Sequence, residues 1–381
     1  MSASISCSEA LAAIRGGERL PPELIRSLGE DHPTDFFPII VESLADSFDP
    51  TQAAAYEEIM RVWIPSQPPL TAVVPSPVET VYVLSRVTLG ADIKITSIIL
   101  DAMKRRFPDA SIILVAGRKS IDLFETDARI WHIEADYPRR GSVSHRLKFA
   151  QELRNRLDAP NCIVIDPDSR MTQLGLIPLC EPEHYFHFPS RTADSADNLT
   201  DLTQSWLEKT FGQSGKAHIA PRRIDLDDDR PRAAISFGVG ENESKRISSN
   251  FESQVIRKLA DKFRTLWIDR GVGGEEARRV TAAAEASGAM EHIRFWEGSF
   301  AGFASIISQC DLYVGYDSAG QHAAAAAGVP LISIFKGAPS DRFRRRWSPS
   351  GSGRIDVMNA DALSAQQCLE QIRALLNYPS P

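Results

Sequence analysis

The sequence predicts an α/β fold with two doubly wound, parallel-sheet domains and a helical N-terminal extension. Two stretches, one starting near Val81 and one near Ala233, alternate short β-branched or apolar runs with longer segments of helical period. This alternation is typical of parallel sheets that are covered by helices. A polar stretch over about residues 190–231 separates the two stretches and indicates a solvated linker.

The length supports the same division, because 381 residues exceed one typical domain and fit two domains with an extension. In the extension, Pro22 opens one predicted helix and Thr51 caps another, and prolines between residues 65 and 77 form a connector. We therefore divide the chain into the extension and two domains, over residues 1–75, 76–220 and 221–381.

Each domain has its own set of predicted strands. In the first domain they are residues 81–84, 111–115, 129–133 and 162–165. In the second domain they are residues 233–237, 265–268, 293–295, 312–315 and 331–335, and a terminal helix covers 362–376. Open α/β sheets bind ligands at the carboxyl ends of their strands, so we expect a ligand cleft between the two domains.

Composition excludes several classes of protein. A chain with 43% apolar and 24% charged residues is typical of a globular protein, and the net charge of −7 gives no electrostatic case for a nucleic-acid partner. No basic, apolar leader and no apolar run of about 20 residues is present, so we expect a cytoplasmic protein without a transmembrane segment. The five cysteines have no CxxC spacing, which argues against a zinc site or a disulfide framework.

Residues 317–322 are the most informative segment. They lie between the predicted strands 312–315 and 331–335 and open a short alanine-rich helix. Unpaired N–H groups and the helix dipole make such a terminus a good phosphate-binding site. The alternative is an ordinary turn in which Asp317 or Ser318 merely caps the helix.

A second candidate segment, residues 85–96, joins the first strand of the first domain to its first helix. Gly90 permits a sharp turn, and Asp92 in the first helical turn then lies at the cleft edge, where it can accept a proton from a bound hydroxyl. The alternative role for Asp92 is a stabilising acid at a helix N-terminus.

A third candidate is the loop after the first strand of the second domain. Gly238 and Gly240 expose backbone N–H groups there, and Lys245 supplies a compact positive charge; the alternative is a surface turn. Further along, Glu276 either binds ribose hydroxyls or is simply a carboxylate at a helix start.

These segments resemble the motifs of glycosyltransferase family 9, which contains the ADP-heptose:lipopolysaccharide heptosyltransferases. In that family, R-x-x-x-L-G-D-x-x-x-T carries the catalytic aspartate, and D-[TS]-G-x-x-H helps to hold the diphosphate of the donor. The matching residues here are Arg86, Leu89, Gly90, Asp92 and Thr96, then Asp317, Ser318 and His322, with Lys245 matching a lysine that meets the donor phosphates. The resemblance runs from about residue 81 onward and implies the GT-B fold, in which two Rossmann-like domains face each other across a cleft.

Two residues depart from the family pattern. Ala91 is an insertion between Gly90 and Asp92, which rotates the aspartate by most of a helical step. Ala319 stands where the family usually has glycine, so we expect a tighter approach of the phosphate.

The resemblance implies an inverting, metal-independent transferase that moves a heptose-like sugar from a nucleotide-diphosphate sugar to a saccharide or lipid-linked saccharide. Asp92 is the implied base, an ADP-sugar is the favoured co-substrate, and no further cofactor is expected. The predicted donor residues are Gly238, Gly240, Lys245, Glu276, Asp317, Ser318, Ala319, Gly320 and His322. The predicted acceptor residues are Arg86, Thr96 and Asp168, and a peripheral contact with the inner membrane is compatible with a lipid-linked acceptor.

Two other motifs, and the chain as a whole, allow more than one interpretation. Asp166 and Asp168 form a D-x-D sequence, but no second acidic cluster completes a metal site, which favours an acceptor-side or structural role. The arginines around Arg346 either meet an anionic acceptor or form a solvated face. For the whole chain, the alternatives are a non-hydrolysing nucleotide-sugar epimerase and a catalytically silent protein that binds a nucleotide sugar.

Overall fold

The computed structural model describes residues 5–47, 49–66, 70–157, 159–192, 197–239, 243–247, 250–271 and 273–377. The chain forms two compact units. Unit 1 comprises Met1–Val87, Ala102–Arg118 and Arg129–Gly215, and unit 2 comprises Thr88–Asp101, Lys119–Ala128 and Lys216–Pro381. The segment that carries Asp92 therefore packs within unit 2, although it follows the first strand of unit 1.

Each unit contains one parallel sheet, as the sequence predicts. The strands of unit 1 are β1 (Thr80–Leu84), β2 (Ser111–Ala116), β3 (Ile130–Glu134), β4 (Cys162–Asp166) and β5 (Tyr185–His187). Those of unit 2 are β6 (Arg232–Ser236), β7 (Thr265–Asp269), β8 (Ile293–Trp296), β9 (Leu312–Tyr316), β10 (Leu331–Phe335) and β11 (Ile355–Asn359). Of these, β5 and β11 are not among the predicted strands.

The helices surround these sheets. In the extension they are α1 (Cys7–Arg15), α2 (Pro22–Asp31), α3 (Pro33–Asp35), α4 (Ser43–Ala45) and α5 (Pro50–Met60). The next group is α6 (Leu89–Ala91), α7 (Ser97–Arg106), α8 (Arg118–Ile121), α9 (Val143–Arg156) and α10 (Leu199–Phe211). The remaining helices are α11 (Phe251–Ala260), α12 (Gly274–Ser287), α13 (Phe300–Ile307), α14 (Ala319–Ala326), α15 (Asp341–Trp347) and α16 (Ala365–Asn377). Two π-helical turns cover Phe36–Glu42 and Asp92–Thr96.

The strand order places a ligand-binding position in each sheet. The order is β3-β2-β1-β4-β5 in unit 1 and β11-β10-β9-β6-β7-β8 in unit 2. The winding direction therefore reverses between β1 and β4 in one sheet and between β6 and β9 in the other. In open α/β sheets, ligands bind beyond the carboxyl ends of the strands at such a reversal.

The core of unit 2 fixes this edge of its sheet. The strands β6 and β10 are buried along their whole length, as expected for a parallel sheet covered on both faces. Ile235, Val314 and Ile334 from three neighbouring strands belong to one buried apolar cluster. Their packing leaves little freedom for the residues that follow each strand.

The N-terminal extension is helical, as predicted, and it is part of the apolar core of unit 1. Phe36, Phe37 and Met60 are buried in one cluster with Val143 at the start of α9. The predicted cap at Thr51 is wrong, because Asp49 caps α5: its carboxylate accepts a hydrogen bond of 3.0 Å from the Gln52 N–H. Within the described ranges, no helix combines the length and apolar character needed to cross a bilayer.

Ion pairs also attach the extension to the rest of unit 1. Arg170 pairs with Glu42 at 2.9 Å and with Asp46 at 3.2 Å, and Arg191 pairs with Asp46 at 2.8 Å. Burial opposes ionisation of Asp46, but the charges of Arg191 and Arg170 outweigh it and lower the pKa of this carboxyl to about 2. Asp46 is therefore an ionic link between the extension and the sheet-bearing part of the unit.

We expect Asp46→Asn to lower the free energy of unfolding by about 1–3 kcal/mol at neutral pH, because two mostly buried arginines lose a carboxylate partner. The measurement is urea unfolding of the full chain. Because the pKa of Asp46 is lowered, its contribution is present above the ordinary value of 3.8 and is lost as the pH falls towards 2.

The matched control for this prediction is Glu58→Gln, which removes the partner of Arg19 in a solvent-exposed pair. We expect a change of at most about 1 kcal/mol for that variant. Equal losses in the two variants, or a difference that persists unchanged at pH 2, would contradict the role of Asp46.

Candidate functional site

The candidate site lies in unit 2 at the carboxyl ends of β6 and β9. Asp317 directly follows β9, and its N–H donates to the Ile334 carbonyl at 3.0 Å, which ties the loop to β10. Lys245 lies in a short 3₁₀ turn, Glu243–Lys245, after β6. Its Nζ lies 2.8 Å from Asp317 Oδ2 and 3.3 Å from the Asp317 carbonyl. The structure thus brings together two residues that are 72 positions apart in the chain.

A buried amide completes the bonding of the Asp317 carboxylate. Gln321 in the first turn of α14 donates from Nε2 to Asp317 Oδ1 at 2.6 Å. Ser333 in β10 donates from its hydroxyl to Gln321 Oε1. Gln321 and Ser333 are fully buried, and the sequence analysis did not single out either residue.

His322 is buried beside this group and is held neutral. Burial, followed by the positive charges of Lys94 and Lys245, lowers the pKa of His322 well below its usual value. A Cβ atom at Gly90 would lie 3.2 Å from the ring of His322, so a residue without a side chain suits this contact. The predicted glycine and histidine therefore meet within unit 2.

The N-terminus of α14 carries the other predicted donor residues. Ser318 occupies the N-cap position, but its hydroxyl makes no capping hydrogen bond, so the expectation that Ser318 merely caps the helix is wrong. Ala319 opens the helix, and a Cβ atom at Gly320 would overlap the buried hydroxyl of Tyr313. Small residues are thus required where α14 packs on β9.

Gly238 and Glu276 also lie together. A Cβ atom at Gly238 would lie 2.8 Å from Glu276 Oε1, so the carboxylate covers the glycine backbone. Burial, followed by the charge of Asp269, raises the pKa of Glu276. Gly240, the other predicted glycine of this loop, lies outside the described residues.

The predicted base, Asp92, lies in the π-helical turn Asp92–Thr96 and is not exposed. Its side chain is fully buried: Thr96 Oγ1 donates to Oδ1 at 2.9 Å, and Ser120 Oγ donates to Oδ2 at 2.5 Å. The Ser97 N–H bonds to the Asp92 carbonyl, five residues earlier, as in a π-helix. Such a turn accommodates one residue more than an α-helical turn, which matches the inserted Ala91.

Lys94 belongs to the same π-helical turn and was not predicted. Its side chain is buried, and Nζ donates to the Ser348 carbonyl at 2.7 Å. Arg346, in the predicted arginine cluster, is also fully buried, so that residue is not part of a solvated face. Both add positive charge to unit 2, and Lys94 acts directly on His322.

Two of the three predicted acceptor residues lie together in unit 1, at the carboxyl ends of β1 and β4. Ser190 accepts a hydrogen bond from the Arg86 guanidinium and donates to Asp168 Oδ2 at 3.0 Å. His187 Nε2 lies 2.8 Å from Asp168 Oδ1. Burial, followed by the charge of Arg191, lowers the pKa of Arg86 to about 9. Arg86 and Asp168 thus belong to one buried network.

Thr96 is not part of that network. Its hydroxyl bonds to Asp92 in unit 2, so the structure does not bring it together with Arg86 and Asp168, and its acceptor role stays a prediction. His187, Ser190 and Arg191 are not among the predicted residues: His187 ends the unrecognised strand β5, and Ser190 and Arg191 lie in the loop after it.

The first aspartate of the D-x-D sequence has a structural role. Asp166 is fully buried and accepts hydrogen bonds from the Ser169 N–H at 2.6 Å, from Thr172 Oγ1 at 2.5 Å and from the Tyr185 hydroxyl. Among the described residues, no three His, Cys, Asp or Glu side chains are grouped so that they could hold a metal ion. Metal independence of any reaction stays a prediction.

Comparisons with known proteins agree with the fold. Residues 228–378 match the model of the family described as glycosyltransferase family 9 (heptosyltransferase). The crystal structure of the family 9 glycosyl transferase from Veillonella parvula has a TM-score of 0.59 and 16% identity, over 81% of this chain and 92% of that one. No curated protein sequence gives a significant match.

Two Escherichia coli structures are similar as well. Heptosyltransferase WaaC with ADP has a TM-score of 0.56 and 15% identity, over 77% of this chain and 99% of that one. ADP-heptose lps heptosyltransferase II has a TM-score of 0.53 and 17% identity, over 78% and 98%. Identities this low show the fold alone, which is the GT-B fold with its two Rossmann-like domains.

The fold and the family match together define the class of protein as a glycosyltransferase. Residues 228–378 match glycosyltransferase family 9, the heptosyltransferase family, and the rest of the chain lies outside that match. The predicted family, the predicted fold class and the predicted enzyme class are confirmed.

We expect His322 to stay neutral from about pH 8 down through its ordinary pKa of 6.5 in the folded protein, because its pKa lies well below that value. Its ring signals in NMR spectra, assigned with His322→Gln, should not shift over this range, and Lys94→Met should raise the pKa by removing a nearby charge. Because only the unfolded chain takes up this proton, the residue makes stability fall as the pH drops below its ordinary pKa of 6.5. A titration close to 6.5 in the folded protein would contradict the buried, doubly cationic surroundings.

Proposed function

We propose that the protein is an inverting, metal-independent glycosyltransferase that moves a heptose-like sugar from an ADP-sugar to a saccharide or glycolipid acceptor. The observation that carries this proposal is the group of Lys245, Asp317 and His322 at the N-terminus of α14. The group lies where the strand order of the family 9 part of the chain reverses, which is the expected ligand position in such a sheet.

Donor binding follows from the charges of this group. The ammonium of Lys245 is a compact cation at the N-terminus of α14. The first N–H groups of this helix point out of the same end. A neutral His322 can donate or accept a hydrogen bond without adding a titrating charge. Diphosphate is the ligand that these groups suit, and the similar WaaC structures were determined with ADP and with ADP-2-deoxy-2-fluoro heptose.

The chemical step consists of one bond formed and one bond broken at the anomeric carbon. The acceptor oxygen attacks from the face opposite the diphosphate, its proton passes to the Asp92 carboxylate, and the bond to the diphosphate oxygen breaks. Lys245 and the N–H groups of α14 stabilise the negative charge that develops on the leaving group. For this step an acceptor hydroxyl must replace Thr96 or Ser120 as a hydrogen-bond donor to Asp92.

One observation favours a second candidate, a catalytically silent protein that binds a nucleotide sugar. Asp92 is fully buried and both of its oxygens already accept hydrogen bonds. A general base must come within hydrogen-bonding distance of the proton that it removes, and such contacts often form only when the substrates are bound. Binding without transfer is the result that identifies this candidate.

We expect Asp92→Asn to bind ADP normally and to reduce sugar transfer by about 10²- to 10⁴-fold, because the amide cannot accept the acceptor's proton. The assay is release of ADP from an ADP-sugar in the presence of a lipid-linked saccharide, with ADP binding measured by calorimetry. The matched control is Asp101→Asn, which alters another carboxylate of the same helical segment. The Asp101 carboxylate accepts a hydrogen bond from the Lys216 N–H.

Transfer by Asp92→Asn at the rate of the wild type would remove Asp92 from the mechanism. A wild-type protein that binds ADP-sugars but transfers sugar to none of the acceptors would support the silent candidate instead.

We expect Lys245 to take the place that a divalent cation has in metal-dependent transferases. Lys245→Ala should weaken ADP binding by about 10- to 100-fold, since a charge-assisted hydrogen bond is lost, and a chelator should leave the affinity of the wild type unchanged. Calorimetry with and without EDTA measures both effects. The control is Lys262→Ala, which removes an equal charge. Lys262 lies beside Leu312 and Leu331, at the amino ends of the strands, opposite to the end that carries Lys245. ADP binding or transfer that fails in EDTA and returns with Mn²⁺ would refute metal independence.

A further inference from the structure

Gln321 and Ser333 form a buried connection that the proposed chemistry does not use. Ser333 lies in the middle of β10, where it is in register with Gly315 of β9 and Val357 of β11. Its hydroxyl donates to the amide oxygen of Gln321, and the amide nitrogen donates to Asp317 Oδ1 at 2.6 Å. A chain of hydrogen bonds therefore runs from the centre of the sheet to the ion pair with Lys245.

The direction of the Gln321 amide is fixed by its two neighbours. The Asp317 carboxylate can only accept, so it requires the amide nitrogen, and the Ser333 hydroxyl then donates to the amide oxygen. A reversed amide would place two acceptors against each other at Asp317. Full burial of both Gln321 and Ser333 leaves no solvent to replace either bond.

The connection determines where the charge of Lys245 lies. Asp317 has two carboxylate oxygens, of which Oδ1 binds Gln321 and Oδ2 binds Lys245. A lysine side chain is long and flexible, so its ammonium needs a fixed partner to hold one position. Without the bond to Gln321, the carboxylate is free to rotate and Oδ1 is left buried without this donor.

We propose that Gln321 is a positioning residue for the diphosphate of the donor: oriented by Ser333, it holds the Asp317 carboxylate so that Lys245 lies at the N-terminus of α14. This inference rests on the proposed function, because it assigns the diphosphate to that terminus. Gln321 does not touch the reacting atoms and acts through Asp317 and Lys245. Among the described residues, the charged and titratable groups near the amide include Asp317 and Lys245, the neutral ring of His322, the Tyr313 hydroxyl against Gly320 and, beyond His322, Lys94.

The first test is a double-mutant cycle with ADP as the probe, in calorimetry on the full chain. Gln321→Leu should lower the affinity by about 5- to 100-fold and Ser333→Ala by about 2- to 10-fold, since the second variant only frees the amide to turn. The double variant should bind no more weakly than Gln321→Leu alone, because Ser333 acts through Gln321. If the losses in binding free energy of the two single variants add in the double variant, the proposed connection is wrong. Unfolding in urea, measured on each variant, confirms that the titrated protein is folded.

The second test is Gln321→Glu, which keeps the size of the side chain and separates positioning from packing. Two adjacent carboxyl groups share a proton, and a shared proton lets the introduced group donate to Asp317 as the amide does. Relative to the wild type at the same pH, ADP affinity should be nearly normal at about pH 5.5 and about tenfold weaker at pH 8. An affinity ratio that does not change with pH would overturn the proposal, because a loss of packing alone does not depend on this proton.

The outcomes also separate this inference from the proposed function. A wild-type protein that binds neither ADP nor any other nucleoside diphosphate overturns both. Normal binding by the wild type, by Gln321→Leu and by Gln321→Glu overturns the role of Gln321 and leaves the proposed donor site intact.

Discussion

The ion pair between Lys245 and Asp317 joins the loops that leave two neighbouring strands, β6 and β9, and the candidate site depends on it. The sheet supplies the rigidity: Asp317 is tied to β10 through its own N–H and, by way of Gln321, through Ser333. A cation is thereby held at a helix N-terminus, where its attraction for an anion adds to that of the backbone. Because the pair is mostly buried, its position depends little on the solvent.

The π-helical turn at Asp92–Thr96 determines the surroundings of the predicted base. The Asp92 carboxylate of this turn accepts hydrogen bonds from the hydroxyls of Thr96 and Ser120. Lys94, from the same turn, instead adds its charge to the surroundings of His322. One helical turn thus carries both the predicted base and a lysine whose charge lowers the pKa of His322, a predicted donor residue.

The sequence was sufficient to predict most strands of the two parallel sheets and the helical extension, because strand periodicity and helix N-terminal signals are local. The donor roles of the residues around Asp317 stay predictions. The contact between Lys245 and Asp317 could also be predicted from the sequence, since the carboxyl ends of parallel strands meet at one edge of a sheet. The burial of Asp92 could not be predicted from the sequence, because a π-helical turn has no distinct sequence signal. Contacts such as Arg191 with Asp46, 145 residues apart, depend on packing that no motif encodes.

The structure of the protein with ADP bound tests the central claim most directly. The account predicts the diphosphate within hydrogen-bonding distance of Lys245 Nζ and of the first N–H groups of α14, with Asp317 still bonded to Gln321. A diphosphate bound elsewhere, or bound with Lys245 still confined to Asp317 and α14 free of ligand, would contradict it.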